Sequence, residues 1–203
     1  MSKQDTHWVA NPDITRWNIK YDRGQSGVLD PKGEPEFIQL ADQLDHQGMA
    51  LDVAAGRGRN ALYLAKLGYR VIACDGAETA LKDCSKAAQE RGLNLSCMVC
   101  DLDTYRFSNG LFDLLVVVRY LNRNLLPILP DWIRPNGWLF YKTFNTRFLK
   151  TNPRFNPDYT VKPGELDEIF SRLSIQASDI QTTELVCDER MSFVLARKLS
   201  ENN

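Results

Sequence analysis

Neither sign of charge dominates this sequence. Its 25 lysines and arginines face 26 aspartates and glutamates, for a formal net charge of −1. A chain so balanced gives no reason to expect a nucleic acid or an anionic membrane as partner. Long apolar runs are missing too: none approaches the roughly 20 residues that a membrane helix needs. The opening MSKQDTHWVANPD has no apolar signal-peptide core, so a cytoplasmic location is expected. Histidine is scarce. His7 and His46 sit in no metal-ligand spacing, and no metal site is expected. The five cysteines are odd in number, which without an export signal argues for reduced thiols. Cys97 and Cys100 carry C-x-x-C letters but fall in an expected strand, where residues three apart point to opposite faces. They read as small buried hydrophobes. The chain has no internal repeat and no low-complexity tract.

What remains is enough for one sizeable core: 203 residues, 43% of them hydrophobic. One stretch organises the rest, MALDVAAGRGRNALYLAKLGYRVIACD, from Met49 to Asp75. A short apolar run carries one acid, Asp52. A loop of small residues follows, with Gly56 and Gly58. Ala61, Leu62, Leu64, Ala65 and Leu67 then repeat at helical spacing, and Gly68 stops the helix. A second apolar run ends on Asp75. Strand, glycine loop, helix, strand and terminal carboxylate make a nucleotide-binding βαβ unit. The glycines let the backbone turn sharply and approach a ligand, and the helix N-terminus points at the same spot. Asp75 lies 19 residues beyond Gly56, near the spacing at which a carboxylate meets ribose hydroxyls. Adenosine is the expected guest.

Gly56 to Ala61 also satisfy the relaxed dinucleotide pattern G-x-G-x-x-A. Asp52 argues against that cofactor, because a carboxylate in the first turn would repel a pyrophosphate. It suits a ligand with an ammonium group and no phosphate.

The flanking pattern gives an α/β fold. A helix is expected over 13–21, a loop over 22–33, and a helix from Pro35 to about Asp45 that buries Phe37, Ile38, Leu40, Ala41 and Leu44. After Asp75 come a helix to Gly92, a strand over 93–100, an apolar strand over 112–118, a proline-broken helix over 124–133 and a strand over 137–144. An irregular insert spans 145–163. A helix over 165–173 and two strands near 174–182 and 190–198, pairing as a hairpin, end the pattern. Alternation of this kind predicts a doubly wound, mostly parallel sheet with helices on both faces. We divide the chain into an N-terminal helix and flexible segment, 1–33, that closes over the site, and a main domain, 34–203, with a lid-like insert at 145–163.

Asp52 to Gly58 resemble motif I of class I S-adenosylmethionine (SAM) dependent methyltransferases, acid-x-Gly-x-Gly-x-Gly, with Ala54 at the first glycine. The segment from Leu51 to Val71 is similar to the tellurite methyltransferase-like group, as are Lys162 to Leu166 and Phe193 to Lys198. Trp17 to Tyr21 resemble an element of thiopurine methyltransferase-like enzymes that folds over cofactor and substrate. The resemblance implies a seven-stranded sheet with an antiparallel last strand, and SAM as cofactor with S-adenosylhomocysteine as product. Asp52 would lie near the SAM ammonium. Ala54, Gly56 and Gly58 would line its methionine part, with Asn60 alongside. Asp75, followed by Gly76, would take the ribose hydroxyls. Asp101 would reach the adenine amine or else cap the next turn, Leu102 would flank the adenine, and Val118 would offer its carbonyl. Trp17 would help close the pocket.

The methyl acceptor belongs past the fourth strand, beside Tyr120. Arg119 and Arg123, four apart, would share a face if that piece is helical, and two guanidiniums could hold an anion; solvated arginines are the alternative. A small-molecule acceptor is expected, of the soft kind: a thiol, or a selenium or tellurium oxyanion. An RNA or protein methyltransferase and a SAM-binding protein without turnover stay open, as does monomer or homodimer.

Overall fold

In the computed structural model, residues 11–24, 32–45, 47–181 and 188–200 are described. His7, His46, Cys187 and most of the expected 22–33 loop lie outside them. Seven strands form one sheet: β1 (Met49–Val53), β2 (Arg70–Asp75), β3 (Leu95–Val99), β4 (Phe112–Val118), β5 (Ile133–Phe144), β6 (Ser174–Ser178) and β7 (Met191–Arg197). Their order is β3-β2-β1-β4-β5-β7-β6. The first five pair in parallel, and β7 runs antiparallel to both β5 and β6. The expected doubly wound sheet and terminal hairpin are both present.

Among the described residues seven short α-helices accompany the strands: α1 (Pro12–Asp22), α2 (Pro35–Leu40), α3 (Arg59–Leu67), α4 (Glu78–Glu90), α5 (Leu129–Trp132), α6 (Phe148–Thr151) and α7 (Glu165–Ile169). Strand alternation sends side chains to two cores. Ala50, Leu114, Val116 and Phe140 pack with Phe37 of α2, Leu64 of α3 and Leu81 of α4. Leu51, Val53, Leu115 and Val117 pack on the other side with Trp132 of α5 and Leu166 of α7. Cys97 belongs to the first side and Cys100 to the second, as expected of residues three apart. The thiols of Cys74, Cys84, Cys97 and Cys100 are free. Among the described residues no helix is long and apolar enough to cross a membrane.

Three local expectations need correction. Ile38 is 40% exposed rather than buried, because α2 offers only Phe37 and Leu40 to the core. The helix expected over 124–133 is a series of turns followed by the single turn of α5. Pro127 and Pro130 each lack a backbone N–H donor, and a longer helix cannot run through them. The insert is less irregular than its sequence. A bridge between Asn145 and Val161 pins its ends, α6 fills its middle, and Phe144, Phe148, Phe155 and Tyr159 form a chain of ring contacts with centroids 4.3 to 6.4 Å apart.

Candidate functional site

The strand order reverses between β1 and β4, and a cavity of about 1210 Å³ opens there. Ligands in open α/β sheets sit at this switch point, outside the carboxyl ends of the strands. Residues that follow four strands line it: Ala54 after β1, Gly76 after β2, Asp101 after β3 and Arg119 after β4.

The loop between β1 and α3 is built by two carboxylates. Asp52 is 1% exposed, and its Oδ2 accepts from Ala61 N–H in the first turn of α3 at 2.9 Å. Asp75 Oδ2 accepts from Gly56 N–H at 2.8 Å, while Oδ1 accepts from Ala77 N–H at 2.7 Å. The bend needs left-handed backbone at Ala54 (φ 55°), Gly56 (φ 54°) and Gly58 (φ 80°). At Ala54 that conformation costs roughly 1–2 kcal/mol, because its Cβ crowds the next carbonyl. Gly56 is required for a further reason: a Cβ there would stand 2.4 Å from the Tyr21 hydroxyl. A Cβ on Gly58 would stand 2.1 Å from the Cys84 sulfur.

Eleven of the residues singled out in the sequence line the cavity: Trp17, Ala54, Gly56, Asn60, Asp75, Gly76, Asp101, Leu102, Val118, Arg119 and Tyr120. Three do not. Asp52 shares its strand face with Ala50, so its carboxyl turns toward α3 and away from the cavity. Gly58 faces Cys84 of α4. Arg123 pairs with Glu165 and donates to Thr160 O at 3.0 Å. Nor do Arg119 and Arg123 share a helical face. Arg119 has φ 56°, and the segment that follows is not helical.

Burial pushes the Asp52 carboxyl up to about 8, against the Ala61 N–H that favours the charged form; Asp75 and Glu34 nearby add to the rise. Burial also raises the Asp75 carboxyl, against its bonds from Ala77 and Gly56 and the pull of the nearby Gly76 N–H. The Tyr120 phenol is pushed well above its ordinary value. Burial is the main cause, and Asp103, Asp75 and Asp101 add to it, while a bond from Asn122 opposes. Asp101 caps the turn after β3 through Asp103 N–H at 2.9 Å, and it also receives Asn11 Nδ2 at 3.2 Å. Asp101 is thus a turn cap that also lines the cavity.

Two segments border the opening. Helix α1 is held by Asn11 on Asp101 and Asp103, by Asn18 Oδ1, which accepts from Thr79 N–H, and by Arg57, which donates to Tyr21 O. From the other side the insert brings Arg154, Phe155, Asn156 and Tyr159. The two segments touch where the Tyr159 hydroxyl donates to Asp13 Oδ2 at 3.3 Å.

Sequence reasoning missed a buried charge cluster on the cavity wall. Glu34 (1% exposed), Glu36 and Lys142 are buried, and the first joins Arg59 and Arg119. The available signal was Lys142, a lone charge in the apolar run Trp138-Leu-Phe-Tyr-Lys142.

Comparison with known proteins adds a likeness over part of the chain. Residues 50–137 match the model of a methyltransferase domain. Over 80 residues the chain is 32% identical to a probable S-adenosyl-L-methionine-dependent methyltransferase, TehB, of Haemophilus influenzae. That match covers 38% of this chain and 28% of the relative. The crystal structure of TehB from Haemophilus influenzae superposes with a TM-score of 0.66 at 20% identity, over 89% of this chain and 67% of that one. A structure from work on the conversion of a disulfide bond into a thioacetal group during echinomycin biosynthesis superposes with a TM-score of 0.70 at 21% identity, covering 92% and 93%. At these identities the superpositions speak for the fold.

Proposed function

Starting from a chain that carries a methyltransferase domain on the class I SAM-dependent fold, we propose that it transfers the methyl group of SAM to a small-molecule acceptor with a soft nucleophilic atom. A thiol, or a selenium or tellurium oxyanion, fits that description. The observation that carries the reading is the Asp75-braced glycine bend at the β1/β4 switch point, opening on the large cavity.

The residues present fit the cofactor. Asn60 is 8% exposed, lines the cavity, and has a buried Oδ1 with no partner, ready to accept from an ammonium. Asp75 would take ribose hydroxyls on lone pairs its two backbone donors leave free. Asp101 and Leu102 would bracket the adenine, Ala54 and Gly56 the methionine part, and Val118 the sulfonium end of the cavity. Asp52 would act from behind, holding the first turn of α3 in place. Trp17 and Tyr21, rings 5.9 Å apart, would cover the opening from α1.

When bound, SAM supplies an already activated methyl group on a sulfonium. What the protein must add is alignment and exclusion of water. Helix α1 and the insert would cover both sides. The Tyr120 phenol, held protonated by burial, can donate a hydrogen bond to the acceptor but is a poor base near neutral pH. An acceptor that arrives as thiolate or with an available lone pair needs no proton removed, which favours the soft class. The test is a labelled-SAM screen of thiols, selenite and tellurite with the full chain. Transfer to at least one supports the reading. Cofactor binding with no transfer on any acceptor would leave a SAM-binding protein instead.

A further inference from the structure

Glu34 has no part in the reading above, yet it is among the most deeply buried charges of the described residues. Its Oε1 accepts from Arg59 Nη1 at 3.2 Å and forms an ion pair with Arg119 Nη1 at 3.1 Å. Its Oε2 accepts from Lys142 Nζ at 2.9 Å, and Lys142 also donates to Glu36. Burial alone would raise the Glu34 carboxyl, but Arg119, Lys142 and Arg59 outweigh it and hold it below the ordinary value. The cluster joins three cations to two carboxylates, so one positive charge is unmatched within it. The Asp52 carboxyl is near enough to be felt electrostatically, but burial keeps it mostly protonated near neutral pH.

The unmatched charge faces the cavity. Arg59 and Arg119 both line it, with side chains 33% and 48% exposed. Arg59 Nε is buried without a partner. Arg119 is aimed by its backbone, which is left-handed (φ 56°) and pinned by its N–H on Lys142 O at 2.8 Å. The next residue after Arg59 is Asn60, whose Oδ1 is the unpartnered buried acceptor.

We propose that Glu34 is a positioning residue that holds Arg59 and Arg119 as a two-guanidinium clamp for a single anionic group, a carboxylate or small oxyanion, on the cavity wall. The arrangement suits such a group because planar guanidiniums match its oxygens in pairs. The group can come from two sources, the amino-acid end of the cofactor or the acceptor. Assigning the first source rests on the SAM reading; the clamp itself does not.

Calorimetry on the full chain separates these cases, using wild type, Glu34→Gln and Arg119→Gln. Three probes are titrated: S-adenosylhomocysteine, methylthioadenosine, which lacks the amino-acid end, and thioglycolate added to protein saturated with S-adenosylhomocysteine. Loss of charge-assisted bonds should raise a dissociation constant by about tenfold or more. Weakened S-adenosylhomocysteine with unchanged methylthioadenosine places the cofactor carboxylate in the clamp. Unchanged S-adenosylhomocysteine with lost thioglycolate binding places the acceptor there. Equal weakening of both adenosine probes, or no change in any, overturns the proposal, because a merely structural role would not discriminate between them. If Glu34→Gln does not fold, Arg119→Gln, at a half-exposed side chain, carries the test, with Arg119→Lys expected to recover part of the loss. If the wild type binds neither adenosine probe, the SAM reading fails. Thioglycolate is then titrated into free protein, and binding that Arg119→Gln does not weaken, or no binding, overturns the clamp as well.

Discussion

Asp75→Ala is the substitution whose effect can be worked furthest from the geometry. The carboxylate already accepts from Gly56 N–H at 2.8 Å and Ala77 N–H at 2.7 Å. What remains for a ligand is one lone pair on each oxygen, in a site partly open to water. A hydrogen bond to a charged acceptor contributes about 1.5–3 kcal/mol, and solvent in the site lowers that. For two ribose bonds we expect a total of about 1–3 kcal/mol, or roughly 5- to 150-fold in Kd. The assay is calorimetry with S-adenosylhomocysteine on both proteins. Removal of the carboxylate also frees the Gly56 bend, so a control must separate ribose contacts from loop order. Adenosine and 2′,3′-dideoxyadenosine supply it through a double-mutant cycle. Wild type should prefer adenosine, and Asp75→Ala should lose most of that preference. Equal preference in both proteins, with folding intact, would refute the ribose role of Asp75.

Two further outcomes follow from the buried acids and the phenol. With its carboxyl raised from 3.8 to about 8, folded Asp52 keeps a proton that the unfolded chain releases. Its contribution to stability is therefore full below about pH 4 and lost as pH rises toward 8. Asp52→Asn keeps an acceptor for Ala61 N–H and removes that titration, so Tm measured from pH 5 to 8 should fall less in the variant than in wild type. Tyr120→Phe should leave turnover on a thiol within a few-fold while raising KM, since the phenol donates a hydrogen bond and transfers no proton; a loss of about a hundredfold or more in kcat would make it an acid–base group.

How much of this was legible in the sequence depends on the distance between the partners. The β1–loop–α3–β2 unit is written in contiguous residues, and the structure reproduces it with Asp75 braced on Gly56. The faces of Cys97 and Cys100 followed from strand period alone. Asp52 shows period left unused: it shares a face with Ala50, and that face meets α3 rather than the cavity. Arg119 and Arg123 failed for a local reason. Spacing of four places side chains together only in a helix, and the backbone leaves helical geometry at Arg119. The Glu34–Lys142 pair joins positions 108 apart, which no local pattern encodes. Only the oddity of a lysine inside an apolar strand hinted that a buried carboxylate was waiting for it.

One titration tests the central claim most directly: S-adenosylhomocysteine against NADH, each added to the unmodified chain in a calorimeter. The account predicts saturable, one-to-one binding of S-adenosylhomocysteine and none of NADH, because the unpartnered Asn60 Oδ1 on the cavity wall beside the bend suits an ammonium and not a pyrophosphate. Tight binding of NADH, or no heat and no shift in Tm with S-adenosylhomocysteine, would contradict it.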